Sequence, residues 1–313
     1  MTTAGAWPSG LLLLCPGQGG QHAAMFDLAR TSAGASALLD RLAPDLPGPG
    51  ADLYANRHAQ PLIVAATLAM WEAIRDVAPP PALVAGYSIG ELAAYGVAGA
   101  FDAQQAVTLA VRRAQLMDAC LAQHPGQALV AISGLMLARA GTLAATSGFT
   151  VGIENGDDSC IAGGPAAQAD ALLAAVAAAG GRATRLPVEV ASHTPYMAGA
   201  VPLFAQALEQ TGFGPMAAPV LAGISAVAID GPPPAVAALS RQLAEPVRWA
   251  ACMDACAEAG IAYALELGPG NALARMLQAR HPRINTRSVA DFRSLDGIRR
   301  WLARAADDGR APY

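Results

Sequence analysis

The sequence predicts an α/β protein with a smaller βαββαβ unit set inside it. Two apolar runs, Leu11–Cys15 and Ala82–Ala85, each stop at a glycine-bearing turn, and strand, turn, helix is the grammar of an α/β layer. From about residue 128 to 190 the rhythm changes to short extended runs alternating with two short helices, the order of a ferredoxin-like unit. Helix and strand signals of the first kind resume beyond it. The division that follows is residues 1–127 and 191–313 for the large domain and 128–190 for the small one.

Taken in order, Leu11-Leu12-Leu13-Leu14-Cys15 reads as a buried strand that ends at the loop Pro16-Gly17-Gln18-Gly19-Gly20-Gln21. Leu62 to Val77 has helical apolar spacing, and Pro79-Pro80-Pro81 breaks the chain before the strand Ala82–Ala85. Leu92 to Val97 favours helix. Asp102…Gln105 is the signature of a capping box opening a helix that runs to about Leu121. In the small unit, strands are expected over Ala128–Ser133, Thr150–Glu154, Ser159–Ala162 and Arg182–Val188, with helices over Leu137–Ala145 and Ala166–Ala179. Pro232-Pro233-Pro234 reads as a loop, followed by a helix over Val247–Ala259 and a strand over Ile261–Leu267.

Composition removes whole classes of chemistry. The 313 residues, 54% hydrophobic, suffice for a large core. Not one is lysine, so a Schiff-base lysine, a pyridoxal-phosphate enzyme and the lysine of a phosphate-binding P-loop are excluded. Net charge −4 with dispersed arginines gives no nucleic-acid surface. The five cysteines, at 15, 120, 160, 252 and 256, are odd in number. Cys252 and Cys256 lack the further ligands a zinc site needs, so small core residues in a reducing cytoplasm are expected. Leu11–Leu14 is too short to span a membrane, and no cation precedes Arg30, so no signal peptide is expected.

Gly86-Tyr87-Ser88-Ile89-Gly90-Glu91 lies between the second strand and its helix. In a GxSxG elbow the serine sits on a strained turn that lifts its hydroxyl clear of the sheet, while the following helix aims unpaired N–H groups and its positive end at any oxyanion beside it. Ser88 is therefore the candidate nucleophile; the plainer alternative is a serine that only caps a helix. A serine hydroxyl needs a base. Of the five histidines, His58, His124 and His281 sit in polar, loop-like or arginine-rich surroundings, and His22 adjoins the glycine-rich loop. His193 follows the extended run Val188–Ala191, and loops at strand ends are where open α/β sheets hold their sites, so His193 ranks ahead of His22.

Arg113 is the third candidate. At ~100° per residue, Ala106, Leu109, Ala110, Leu116, Met117 and Cys120 share its side of the helix, whereas Arg112 lies with Gln105, Thr108 and Gln115. A guanidinium in an apolar face requires an anion. Two remain open: a distant Asp or Glu, or a substrate carboxylate held through two parallel hydrogen bonds.

These pieces, together with Gln242-Leu243-Ala244-Glu245-Pro246-Val247-Arg248-Trp249 and Gly268-Pro269-Gly270, resemble in content and order the malonyl-CoA:acyl-carrier-protein transacylase family. The resemblance implies an α/β-hydrolase-like large domain with an inserted ferredoxin-like small domain. It implies Ser88 as the acylated nucleophile, His193 as its base, Arg113 as the grip on a malonyl carboxylate, and the backbone N–H groups of Gln18 and Ile89 as the oxyanion hole. Gln242 corresponds to the residue whose main-chain carbonyl orients the histidine in place of a triad acid, so Glu245 is not needed for that task. The partners implied are malonyl-CoA and an acyl carrier protein, with the phosphopantetheine-type arm carried by the substrates rather than by the enzyme.

Tyr87 stands where most relatives have histidine, and Gly20 where many have serine. A tyrosine elbow with Ser192-His193-Thr194-Pro195 resembles the epsilon subunit of malonate decarboxylase, which serves a carrier subunit bearing a phosphoribosyl-dephospho-CoA arm. The transacylase of fatty-acid or polyketide synthesis is the alternative. A serine thioesterase or esterase is another, but it would leave Arg113 without a role. From residue 270 onward nine arginines face four acids, either a docking surface for an acidic carrier or a solvated helical face.

Overall fold

The computed structural model describes residues 10–48 and 50–308, the last four by backbone only. Among these residues ten strands follow one another as β1 (Leu11–Cys15), β2 (Pro81–Gly86), β3 (Gln127–Ser133), β4 (Thr150–Gly156), β5 (Ser159–Pro165), β6 (Arg182–Arg185), β7 (Val220–Leu221), β8 (Ala228–Ile229), β9 (Tyr263–Glu266) and β10 (Asn285–Ser288). They form two sheets. The large one has the order β10-β9-β1-β2-β7-β8, parallel throughout except for the antiparallel edge strand β8. The small one has the order β4-β5-β3-β6 and is antiparallel, the ferredoxin-like arrangement. The molecule is thus a mixed α/β fold with a large α/β domain and a small ferredoxin-like one.

The four consecutive leucines of β1 make sense in a parallel sheet covered on both faces. Leu11, Leu13 and Cys15 enter one core with the Asn56–Ile74 and Ile89–Val97 helices, while Leu12 and Leu14 enter a second core with Trp249, Cys252 and Cys256. All five cysteines are buried and unpaired. In the small domain, Val130, Ile132, Cys160 and Ala162 pack beneath the Leu137–Thr146 and Ala169–Ala178 helices. The other face of that sheet leans on the large domain. Glu154 N–H donates to the Val247 carbonyl at 2.8 Å, Val247 N–H donates to Gly152 at 2.9 Å, and Ile153 joins the second core.

Several elements differ from the sequence expectation, each for a local reason. The long helix begins at Asn56, not Leu62; Pro61, its sixth residue, removes only the bond to the Arg57 carbonyl. The Pro232-Pro233-Pro234 run is no loop but the first turn of the Pro232–Arg241 helix, where an N–H would have no partner in any case. The strand expected over Arg182–Val188 ends at Arg185. Leu186 N–H still donates to the Leu129 carbonyl at 2.9 Å, but Pro187 has no donor with which to continue the ladder. The helix after Val247 starts at Trp249, because Val247 is bonded to the small domain. The capping box on the Ala103–Gln123 helix is present, with Gln105 N–H donating to Asp102 Oδ1 at 2.8 Å and Asp102 N–H to Gln105 Oε1 at 2.9 Å.

Candidate active site

The chain leaves the adjacent strands β1 and β2 at their carboxyl ends through the Gln18 loop and the Ser88 turn, the place where open α/β sheets bind ligands. Glycine is required there by close approach. A Cβ on Gly90 would lie 2.0 Å from the Cys15 carbonyl oxygen, and one on Gly86 would lie 2.2 Å from Glu91 N. Between them Ser88 takes φ 55°, ψ −118° as the residue preceding the Ile89–Val97 helix. A non-glycine residue at positive φ is strained, and the tight packing around it holds the turn.

Ser88 Oγ lies 2.7 Å from His193 Nε2, and His193 Nδ1 lies 2.6 Å from the Gln242 main-chain oxygen. A carbonyl only accepts, so Nδ1 carries the proton and Nε2 presents its lone pair to the serine hydroxyl. His193 is itself at positive φ, 62°, and its N–H donates to Leu243 O at 2.8 Å. Burial, and then the Arg113 charge, push its pKa down to about 3 against the pull of the Gln242 carbonyl. The resting imidazole is neutral. Of the other histidines, His22 is exposed, His58 bonds Asp52 O, His124 stacks edge-on to Tyr196 and His281 pairs with Asp254. Glu245 is spent on an exposed pair with Arg241 at 2.7 Å.

The amides of Gln18 and Ile89 meet no acceptor among the described residues. The first follows a turn that packs on the elbow, since a Cβ on Gly17 would touch Tyr87 O at 2.8 Å. The second is the first N–H of its helix, which has no partner within the helix.

Arg113 is 2% exposed and forms no ion pair among the described residues. Its Nη1 donates to Gln60 Oε1 at 2.7 Å and approaches Met117 Sδ at 3.4 Å; its Nη2 donates to Gln242 Oε1 at 3.2 Å. A guanidinium has five N–H groups, so Nε–H and one Nη2 hydrogen stay without an acceptor among the described residues. Burial pushes its pKa down to about 10, with the Glu91 carboxylate opposing. The arginine remains charged at neutral pH. Glu91, fully buried, accepts from Gly223 N at 2.9 Å and from Gln242 Nε2, and burial pushes its pKa up to about 7.

Gln18, Ser88 and Arg113 line one cavity of about 90 Å³, closed from the small domain by Leu129, Ile153 and Ile161. It shares Asn56, Leu186, Val188 and Val190 with a wider cleft of about 680 Å³ that opens outward. Serine, cation and Gln18 therefore share a small chamber with a longer approach, and His193 stands on the serine hydroxyl behind it. That set can form and break an acyl-oxygen bond on a carboxylated acyl group.

Both departures from the common motif have a steric account. Tyr87 OH donates to Asn155 Oδ1 at 2.9 Å and its ring meets Trp249 edge-on at 5.4 Å. A Cβ on Gly20 would sit 2.3 Å from Pro269 O, so the glycine lets two loops touch. In the arginine-rich tail, Arg280 binds Asp254 at 2.6 Å and Asp157 at 3.3 Å, and Arg287 and Arg299 bind Asp291 and Asp296. Counting only the tail's own acids overstates the free charge there. Sequence reasoning assigned no role to Gln60, Asn56, Glu91 or the Gln242 side chain. The one available signal was Glu91, a carboxylate followed by Leu92-Ala93-Ala94 on a helix that is apolar around it. Among the described residues no cluster fit for a metal ion occurs, and no helix is long and apolar enough to cross a membrane.

Known proteins share this fold over nearly the whole chain. The malonyl CoA-acyl carrier protein transacylase of Escherichia coli K12 is 32% identical over 274 residues, 82% of this chain and 88% of that protein. The structure of FabD from Acinetobacter baumannii superposes with a TM-score of 0.87 at 26% identity, covering 96% of this chain and 99% of that one. A malonyl-transacylase solved in complex with its type II polyketide acyl-carrier protein gives 0.83 at 28% identity, over 96% of this chain and 100% of its own. The Acyl transferase domain family matches residues 12–291. A chain that carries a serine elbow with a histidine on its hydroxyl, and matches that family along most of its length, belongs to the acyl transferase domain family and is an acyltransferase.

Proposed function

We propose that this acyltransferase moves malonyl from malonyl-CoA to the thiol of an acyl carrier protein through a malonyl-Ser88 intermediate. The observation that carries the reading is Arg113: a buried, charged guanidinium with two N–H groups unspent, lining the same 90 Å³ cavity as Ser88 Oγ. A thioesterase for neutral acyl groups has no use for such a cation. In the first half-reaction His193 Nε2 takes the Ser88 proton as Oγ attacks the thioester carbonyl. The oxyanion lies between the Gln18 and Ile89 amides, and the Gln242 carbonyl steadies the imidazolium. The C–S bond breaks, CoA thiolate leaves with the proton from Nε2, and the malonyl ester remains on Ser88. The carrier thiol then gives its proton to Nε2 and reverses the sequence. The phosphopantetheine-type arm belongs to the substrates, and the cytoplasm is the compartment we assign.

For the carrier we propose the malonate decarboxylase subunit, with this chain as the epsilon subunit. Support comes from the Tyr87 elbow and the Ser192-His193-Thr194-Pro195 run. Similarity to the E. coli transacylase, and to the malonyl-transacylase that was solved with its polyketide carrier protein, favours an ordinary phosphopantetheine carrier as the second reading. One experiment addresses both levels. Malonyl-CoA alone should give a stoichiometric malonyl adduct at Ser88 by intact-mass and peptide analysis, and steady CoA release without acceptor would refute transfer. Transfer from that adduct is then measured to carriers bearing either arm. Preference for ordinary phosphopantetheine would remove the decarboxylase assignment and leave malonyl transfer standing.

A further inference from the structure

Glu91 is 0% exposed on the first turn of the helix that Ser88 opens, yet it forms no ion pair among the described residues. An acid in that position is costly to bury, and holding the Gly223 amide at 2.9 Å would not by itself require a charge. What it also holds is the Gln242 amide. Glu91 Oε2 is fixed as an acceptor by the Gly223 N–H whether or not the other oxygen carries a proton, and a guanidinium only donates, so an amide wedged between them has one orientation available: Nε2 toward Glu91, Oε1 toward Arg113. Flipping it would set N–H against N–H and oxygen against oxygen.

Gln60 mirrors this on the other guanidinium nitrogen. Its Nε2 donates to Asn56 Oδ1 at 2.7 Å, and its Oε1 is left to accept from Arg113 Nη1. Arg113 is thereby clamped by two neutral acceptors, and the nearest anion that acts on it, Glu91, stands one amide away. A carboxylate placed at Gln242 would instead form a direct ion pair and occupy the donors a malonyl carboxylate needs. We propose that Glu91 is a positioning residue for acyl-group selection: acting through the Gln242 side chain, it orients Arg113 so that two N–H groups stay free for the substrate carboxylate. The inference rests on the reading of Arg113 given under Proposed function. It also gives Gln242 two separable tasks, a main-chain carbonyl for His193 and a side-chain amide for Arg113.

The test is the ratio of kcat/KM for malonyl-CoA to that for acetyl-CoA, measured in the wild type and in E91Q, E91M, Q242E, Q242M and R113A. Glu91→Met should lower the ratio about tenfold, the change that follows from misdirecting one hydrogen bond to a charged group. Glu91→Gln, whose side-chain oxygen can take both bonds Glu91 Oε2 makes, should return the ratio to within about threefold of wild type. Gln242→Glu should lower it as far as Arg113→Ala does. Should Glu91→Met not fold, as circular dichroism would show, Gln242→Met carries the same test, since it keeps the carbonyl on His193 and loses only the amide. A ratio unchanged in Glu91→Met or Gln242→Met while Arg113→Ala collapses it would overturn the inference and leave malonyl transfer intact. A ratio unchanged in Arg113→Ala would overturn the underlying reading as well.

Discussion

Replacing Arg113 by alanine should separate malonyl from acetyl transfer, and the structure sets the size of the effect. Two guanidinium N–H groups are without acceptors, and a net hydrogen bond to a charged group is worth about 1.5–3 kcal/mol. Both together give about 3–6 kcal/mol, or roughly 10²–10⁴ in kcat/KM for malonyl-CoA at 1.4 kcal/mol per decade. At 2% exposure the charge is poorly screened in the native enzyme, which favours the upper part of that range. Water entering the space left by the guanidinium would hydrate both the incoming carboxylate and the abandoned oxygens of Gln60 and Gln242, which favours the lower part. We therefore expect a loss of about 10²–10³ for malonyl. Acetyl has no carboxylate to lose, so its kcat/KM should change by less than about threefold, or rise. The assay is initial-rate transfer from each CoA ester to carrier thiol, with a thermal melt to confirm that the variant is folded. Parallel loss for both esters in a folded variant would refute the reasoning and make Arg113 a structural residue.

Two further expectations follow from the elbow and its base. Because burial holds the His193 pKa at about 3, kcat/KM for Ser88 acylation should stay level from pH 8 down to about pH 5. A histidine at the ordinary value of about 6.5 would be roughly one-tenth neutral at pH 5.5, so an acid limb centred near 6.5 that persists in Glu91→Gln, where the buried carboxyl at about 7 is gone, would show that the imidazole is solvated. Gly90→Ala would drive a Cβ to 2.0 Å from the Cys15 carbonyl and 2.6 Å from that of Pro16, both backbone atoms that cannot step aside. Overpacking of this kind costs about 3 kcal/mol or more, so the melting temperature should fall by several degrees and acylation with it; an unchanged melt would mean that the turn is looser than described.

How far the site was legible depends on the range over which each residue's partner lies. Within one element, sequence suffices: the burial of β1, the Asp102–Gln105 cap and the apolar setting of Arg113 all come from neighbours a few positions away. The elbow is local only in part: Gly86 is needed by Gly90 and Glu91 just beyond it, whereas Gly90 is needed by the Cys15 and Pro16 carbonyls at the end of β1. Motif order added what locality lacks, bringing His193 and Gln242 to Ser88 across more than a hundred residues. The motifs, however, name backbone and reacting atoms, and they are silent on buried amides that only choose a direction. Glu91 and Gln242 are 151 positions apart, and Arg113 and Gln60 are 53 apart on two packed helices. Neither glutamine breaks a periodicity or carries a charge, so nothing in the sequence pattern marks it. A buried cation still demands that its remaining donors be accounted for one by one. Doing so through the fold turns Gln60 and Gln242 from core residues into the pair that holds Arg113 without satisfying it, the condition under which a carboxylated substrate finds donors waiting.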